Sequence, residues 1–219
     1  MKQRCAKEAL KYIKNNMVVG LGGGRTIAFL VEYIKESDLD IKVVTPSYDT
    51  EKLCVEKGLC VLPLRYVDHV DVAFDGCDEV DYNLNALKSG GSIHTREKII
   101  GSMADEYILL VDENKVYKTL GFEHPVVLEV VKEAYAKVKK EVEKLGGKVV
   151  IRSASNKDGG IVSDQGLTIL EAMFENVSDI QALHDALIKI VGVLEISLFT
   201  NTVTKVLVVK EEGFEEITK

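Results

Sequence analysis

The sequence contains no Cys-x-x-Cys pair, no apolar run approaching the ~20 residues that span a bilayer, and no basic cluster beyond Lys137, Lys139 and Lys140. Its four cysteines, Cys5, Cys54, Cys60 and Cys77, sit in a chain long enough to fold without cross-links, so they read as free thiols. Without a long apolar run there is no transmembrane helix, and residues 1–16 lack the small-residue cleavage site of a signal peptide. A cytoplasmic protein with no membrane partner is therefore expected. The lack of basic patches, with a net charge of -7 and a pI near 5.3, argues against nucleic acid and leaves any phosphorylated ligand dependent on local cations. None of the four histidines stands at a metal-binding spacing from Cys, Asp or Glu, and neither metal nor cofactor is expected. His69, His124 and His184 read as surface positions, and His94 as a loop imidazole at the edge of any site. Internal repeats, low-complexity segments and Pro-rich linkers are also missing.

What is present is an α/β pattern. Hydrophobic residues make up 46% of 219 positions, enough for one large domain or for one domain with a smaller companion. Ala6, Ala9, Leu10 and Ile13 follow helical spacing ahead of a strand over 17–21. Ile27, Leu30, Val31 and Ile34 do the same after the run Gly22-Gly23-Gly24-Arg25-Thr26. Strands over 41–45, 59–64, 70–74 and 107–111 alternate with a helix over 50–57 and another around Glu97, which means a parallel sheet with helices on its faces.

From Pro125 the pattern changes. A strand over 126–130 leads to a charged helix with Val138, Val142 and Leu145 on one face, then to strands over 148–151 and 166–174. A helix opened by a capping box at Ser178 and Gln181 follows, with Ile180, Leu183 and Leu187 inward, and then a strand over 193–199. Strand, helix, strand, strand, helix, strand is a ferredoxin-like module, in which 153–160 reads as a polar loop. The apolar strand over 205–209 suits a return to the parallel sheet. The expected architecture is α/β: a Rossmann-like parallel-sheet domain (1–125 plus 200–219) with a smaller ferredoxin-like α+β domain (126–199) inserted.

The densest polar stretch is 75–98. The apolar run Val70, Val72, Ala73 and Phe74 ends on Asp75, so Asp75 and Asp78 fall at a strand-to-loop exit, the edge where open parallel sheets bind ligands. Lys88 opens a Ser89-Gly90-Gly91 segment whose glycines let backbone amides approach a small anion, and Glu97 stands in a first helical turn. Such a set suits removal of a proton from carbon beside a carbonyl. A carboxylate takes the proton while an ammonium and oriented amides stabilise the enolate oxygen, with no metal required. Each residue alone has a bland reading as part of a turn or a solvated helix; their concentration at one strand end favours a site. The run around Gly23 and Gly24 is a strand-loop-helix of the kind that offers free amides to phosphate. It is neither a dinucleotide fingerprint nor a P-loop, because Arg25 stands where the first needs Gly, and Arg25-Thr26 where the second needs Gly-Lys.

Three segments, Asp75-Gly76-Cys77-Asp78-Glu79, Lys88-Ser89-Gly90-Gly91 and Thr95-Arg96-Glu97-Lys98, resemble the signature of the type A ribose-5-phosphate isomerases. That signature reads Asp-Gly-Ala-Asp-Glu, Lys-Gly-Gly-Gly and Thr/Leu-Arg-Glu-Lys, and the spacing matches throughout. The resemblance implies an aldose-ketose isomerase of the pentose phosphate pathway, a homodimer or homotetramer, that interconverts ribose 5-phosphate and ribulose 5-phosphate. It implies that Glu97 shuttles a proton between C2 and C1, that Asp75 and Asp78 hold sugar hydroxyls and assist ring opening, and that Lys88 faces the enediolate oxygen. Gly76, Cys77, Ser89, Gly90 and Gly91 would line the sugar site, and Gly23, Gly24, Arg25, Thr26 and Lys115 would hold the phosphate. Arg96 and Lys98 would face solvent or neighbouring carboxylates.

The chain departs from the family at Gly23 and Arg25, where Gly-Thr-Gly-Ser-Thr is usual, so that two hydroxyls are lost and a phosphate-binding guanidinium is gained. Ser89 replaces a glycine and crowds its turn unless its φ stays negative. Cys77 replaces alanine and reads as a small filler. Two rival readings are a non-catalytic sugar-phosphate sensor on the same architecture and an acyl-coenzyme A transferase with Glu97 as nucleophile. The first usually carries a DNA-binding segment, for which there is no room before the first strand; the second needs a coenzyme A groove and leaves Asp75 and Asp78 idle.

Overall fold

The computed structural model describes residues 1–219, the side chain of Lys157 excepted. Its amphipathic opening is α1 (Lys2–Ala9), followed by β1 (Val18–Leu21), α2 (Arg25–Glu36), β2 (Lys42–Val44), α3 (Tyr48–Glu56) and β3 (Cys60–Val61). The strand expected over 59–64 is cut to two residues, because Pro63 offers no amide to a ladder and the chain turns into a 3-10 helix at Leu64–Tyr66. α3 starts two residues earlier than its apolar spacing suggests, since Ser47 caps it by accepting from the Thr50 amide at 3.3 Å.

The central strand β4 (Val70–Asp75) leads through β5 (Glu79–Asp81) and β6 (Ala86–Leu87) into α4 (His94–Met103) and β7 (Ala104–Asp112), with the short β8 (Val116–Tyr117) after it. Strands β1 to β4 and β7, together with β16 (Lys205–Val209) and β17 (Phe214–Thr218), build a seven-stranded sheet in the order β17-β16-β7-β4-β1-β2-β3. All its neighbours are parallel except the β16–β17 pair. From β1 the chain moves outward to β2 and β3, then returns to place β4 on the other side of β1. The crevice beyond the carboxyl ends of β1 and β4 is thus the topological switch point, where such sheets bind ligands.

One face of the sheet carries α1 and α2, through Ala6, Ala9, Ile27, Leu30 and Ile34 against Val19, Leu21 and Phe74. The other carries α4, whose Ile100 packs with Ala73, Tyr107 and Phe199. That helix lies close because Gly20 has no side chain: a Cβ there would stand 2.6 Å from Ala73 and 2.7 Å from Ile100. Each buried Leu or Ile in these layers contributes roughly 1.5–3 kcal/mol.

The inserted module comprises β9 (Val126–Val130), α5 (Tyr135–Lys144), β10 (Lys148–Ile151), the β11 (Ser153–Ala154) and β12 (Lys157–Gly160) hairpin, β13 (Thr168–Met173), α6 (Ile180–Ile188) and β14 (Val193–Ile196). Its antiparallel sheet has the order β10-β13-β9-β14, the ferredoxin-like arrangement. Residues 153–160 are therefore a hairpin and not a plain polar loop. β13 begins only at Thr168, since Gly166 sits in a turn with φ of 82°. α6 is capped by Asp179, which accepts from the Ala182 amide at 2.9 Å; Ser178 and Gln181 form no capping box. Leu145 is exposed, while Val138 and Val142 are buried with Leu128, Leu170 and Leu187.

The strand expected over 193–199 breaks at Ser197. β14 pairs with β9, whereas β15 (Leu198–Phe199) pairs with β6 in a third sheet of order β15-β6-β5-β8. Ser197 makes the switch at no cost in buried polar groups: its amide donates to Val127 O and its Oγ accepts from the Val127 amide, both at 2.8 Å, while its carbonyl accepts from the Lys88 amide.

Candidate active site

β4 delivers Asp75 to the switch point, against the exit of β1. The two strands meet there so closely that a Cβ on Gly22 would lie 2.1 Å from Asp75 Oδ1. Asp75 Oδ1 accepts from the Gly76 amide at 2.8 Å, and Oδ2 from the hydroxyl of Tyr107 on β7 at 3.1 Å. Lys88, at the end of β6, places Nζ 3.1 Å from Asp75 Oδ2 and 3.3 Å from Glu97 Oε1, and donates to the Gly76 carbonyl. Glu97 comes from the first turn of α4. The three charged residues are between 3% and 6% exposed.

Burial sets the electrostatics of this triplet. It pushes the Glu97 carboxyl up to about 8, reinforced by the charge of Asp75 and opposed by Lys88. Burial works the other way on Lys88, but Asp75 and then Glu97 outweigh it and hold the ammonium above its ordinary range. Among the described residues, Glu97 Oε2 is buried without a hydrogen-bond partner. A carboxyl near neutrality, with an unbonded oxygen and a fixed ammonium at its other oxygen, is equipped to take a proton and return it.

Around the triplet lies a cavity of about 550 Å³ lined by Gly23, Gly24, Ser47, Tyr48, Asp49, Gly76, Cys77, Asp78, Gly90, Gly91, Ile93 and Asp164 as well. A second cavity of about 170 Å³ is lined by Lys2, Arg25, Thr26, Asp112 and Lys115 among others, and shares Gly23, Gly24 and Gly76 with the first. The glycine walls thus join a region rich in carboxylates to one with three cations and a single acid. Arg25 opens α2 behind Gly24, whose φ is 90°, and among the described residues no hydrogen bond or ion pair occupies its guanidinium. Lys115 Nζ donates to Cys77 O at 2.6 Å. An anion there would meet Arg25, Lys2, Lys115 and the amides that begin α2.

Other residues fall elsewhere than the sequence suggests. Asp78 Oδ2 accepts from the amides of Ser89 and Gly90 at 2.7 and 3.1 Å, so those two amides are spent on the loop itself and are not offered to an anion. Ser89 is buried outside both cavities, with its Oγ on Pro125 O and no positive φ. Cys77 is a buried wall residue whose thiol burial pushes up to about 12, so it stays neutral. His94 is no edge imidazole: fully buried at the start of α4, 3.4 Å from Glu195 O, it is driven down to about 3 by burial and lines neither cavity. Arg96 pairs with Asp164, and Lys98 pairs with Glu195 at 2.6 Å.

Sequence reasoning missed Lys2, Tyr107, Tyr48 and Asp164. Only the Pro46-Ser47 exit of β2, neighbour to β1, hinted that the start of α3 would join the site. Among the described residues His69, Asp71 and Asp105 converge as possible cation donors, but at the opposite ends of β4 and β7.

A doubly wound sheet with a buried carboxyl, ammonium and carboxylate at its switch point, beside a small cationic pocket, defines an enzyme that enolises a phosphorylated sugar, an aldose-ketose isomerase. The chain belongs to the ribose 5-phosphate isomerase A (phosphoriboisomerase A) family, which matches residues 42–213. The ribose-5-phosphate isomerase A of a Synechococcus species is 39% identical over 218 residues, covering 97% of this chain and 94% of its own length. The solved ribose 5-phosphate isomerase A of Methanocaldococcus jannaschii superposes with a TM-score of 0.92 at 36% identity, covering 100% of this chain and 98% of that one. A D-ribose-5-phosphate isomerase solved in complex with phospho-erythronic acid gives a TM-score of 0.93 at 36% identity, with coverage of 100% and 97%.

Proposed function

We infer that the protein interconverts ribose 5-phosphate and ribulose 5-phosphate through an enediolate, as a cytoplasmic enzyme of the pentose phosphate pathway. The observation that carries this reading is the position of Lys88 between Asp75 and Glu97, next to a pocket that holds Lys2, Arg25 and Lys115. Phosphate enters the cationic pocket and the open-chain polyol lies along the carboxylates. Glu97 removes the proton from C2; the C–H electron pair becomes the C1–C2 double bond, and the carbonyl pair moves onto O1. Lys88 stabilises that oxygen. The proton returns from Glu97 to C1 as the carbonyl forms at C2, while the hydroxyl proton passes from O2 to O1. Asp75 and the free oxygen of Asp78 orient the hydroxyls and assist ring opening, with Gly76, Cys77, Gly90 and Gly91 as walls.

The division into a catalytic unit (1–125 plus 200–219) and an inserted unit (126–199) belongs to the same reading, as does assembly into a homodimer or homotetramer. Phospho-erythronic acid, bound in the solved D-ribose-5-phosphate isomerase, carries a carboxylate where an enediolate would place its oxygens, so it should compete with substrate in this protein. The test is conversion of ribose 5-phosphate by the purified protein in the presence of a chelator, with Glu97→Gln alongside. Turnover should survive chelation, because the ammonium supplies the positive charge the reaction needs, and should drop about 10²–10⁴-fold in the variant, whose amide accepts no proton. Full turnover in Glu97→Gln would remove Glu97 from the mechanism. Saturable sugar-phosphate binding without wild-type turnover would replace the isomerase by a sensor.

A further inference from the structure

The loop 89–92 separates Lys88 from the helix that carries Glu97, and it is held from two sides. From the loop between β4 and β5, Asp78 takes the amides of Ser89 and Gly90. From the inserted module, Arg152 donates Nη2 to Ser89 O at 2.6 Å and Nη1 to Ser92 Oγ at 2.8 Å, while its Nε pairs with Glu171 Oε1 at 2.6 Å. All three nitrogens of a guanidinium that is only 13% exposed are thereby committed. The loop it grips needs gripping: Gly91 and Ser92 both lie in the left-handed region, with φ of 73° and 57°, and Ser92 has a side chain that disfavours it. The next residue, Ile93, accepts from the Glu97 amide and lines the sugar cavity.

We propose that Arg152 is a positioning residue for proton transfer: its fork fixes the loop 89–92 and so sets the spacing of Lys88 and Glu97 across the cavity. The inference rests on the isomerase reading. It also gives the inserted module a part in the chemistry, because the clamp reaches the catalytic segment from β10's end without touching substrate. A point charge on a flexible stem cannot reproduce three directed bonds, so Arg152→Lys keeps the charge and loses the fork.

The experiment compares wild type, Arg152→Lys and Glu171→Gln by steady-state kinetics, pH profile and amide hydrogen exchange. In Arg152→Lys, kcat should fall roughly 10- to 100-fold with KM changed by no more than about threefold, since misplacement of the reacting groups and not loss of binding is the cause. The limb of the pH profile that reports Glu97 should move downward as the loosened site admits water, and exchange should quicken at 89–93 while β9 and β13 stay protected. Glu171→Gln, which frees the guanidinium's anchor, should shift all three in the same direction by less. A folded Arg152→Lys protein with wild-type kcat and pH limb overturns the proposal. A wild type without turnover sinks the isomerase reading instead, and unchanged exchange at 89–93 would then overturn the clamp as well.

Discussion

Glu97 is held as a buried carboxyl with one oxygen against Lys88 and the other unbonded, and its behaviour with pH follows. As the proposed base it must be ionised to accept a proton from C2, and burial raises its pKa to about 8. The sign is therefore positive: kcat/KM should climb as pH rises through that value and level off above it, and a profile flat from about pH 6 to 9 would assign the base elsewhere. Arg25 faces a different task. Its guanidinium at the cationic pocket should act on binding, so Arg25→Ala should raise KM more than it lowers kcat, and an unchanged KM would mean that the phosphate does not reach it. Gly22 is a matter of space. A methyl group there would overlap the Asp75 carboxylate, so Gly22→Ala should cost about 1–3 kcal/mol by thermal melting and displace Asp75, with loss of kcat. Stability and turnover equal to wild type would show that the two strands can part.

At the scale of elements, α4 is the piece that must not drift, and the inserted module helps to hold it. Glu129 on β9 is 1% exposed, and its two oxygens accept from Thr95 in the first turn of α4 and from Ser163 in the loop before β13. Glu129→Ala would leave both hydroxyls without their acceptor, a destabilisation of about 1–3 kcal/mol that chemical denaturation would measure; an unchanged midpoint would mean the hydroxyls find other partners. The elements were mostly legible beforehand. Ile27, Leu30, Val31 and Ile34 describe α2 because a helix with one buried face must repeat apolar residues at that period. Where reading failed, the cause was a partner distant in sequence. No turn residue in the run 193–199 marks Ser197 as the point where one strand leaves β9 and another joins β6, because apolar residues flank it on both sides. The hairpin at 153–160 carries no periodic apolar signal, since its pairing satisfies backbone groups and not a hydrophobic face.

For the molecule as a whole, the active site is a stability liability at working pH. The folded pKa of Glu97 lies above its unfolded value, so between about 4.5 and 8 the native state holds a proton the unfolded chain has released, and stability falls as pH rises through that window. Lys88, also raised, contributes fully below its unfolded pKa of 10.5 and is lost only at higher pH. Glu97→Gln, which cannot ionise, should therefore melt higher than wild type at pH 8 and close to it at pH 5, by up to a few kcal/mol on the scale of about 1.4 kcal/mol per pKa unit. Parallel melting curves across that range would show the neighbouring charges to be better solvated than their burial indicates. By itself the sequence determined the alternation of strands and helices, the ferredoxin-like pattern after Pro125 and the crowding of titratable residues over 75–98, because periodicity and turn chemistry are local. Only the tertiary structure decided that Lys88 sits between Asp75 and Glu97, that Asp78 takes the amides of Ser89 and Gly90, that Lys2 joins Arg25 and Lys115, and that Arg152 grips the loop from another module. Those are contacts between segments far apart in the chain, and their burial sets the charges on which the chemistry depends.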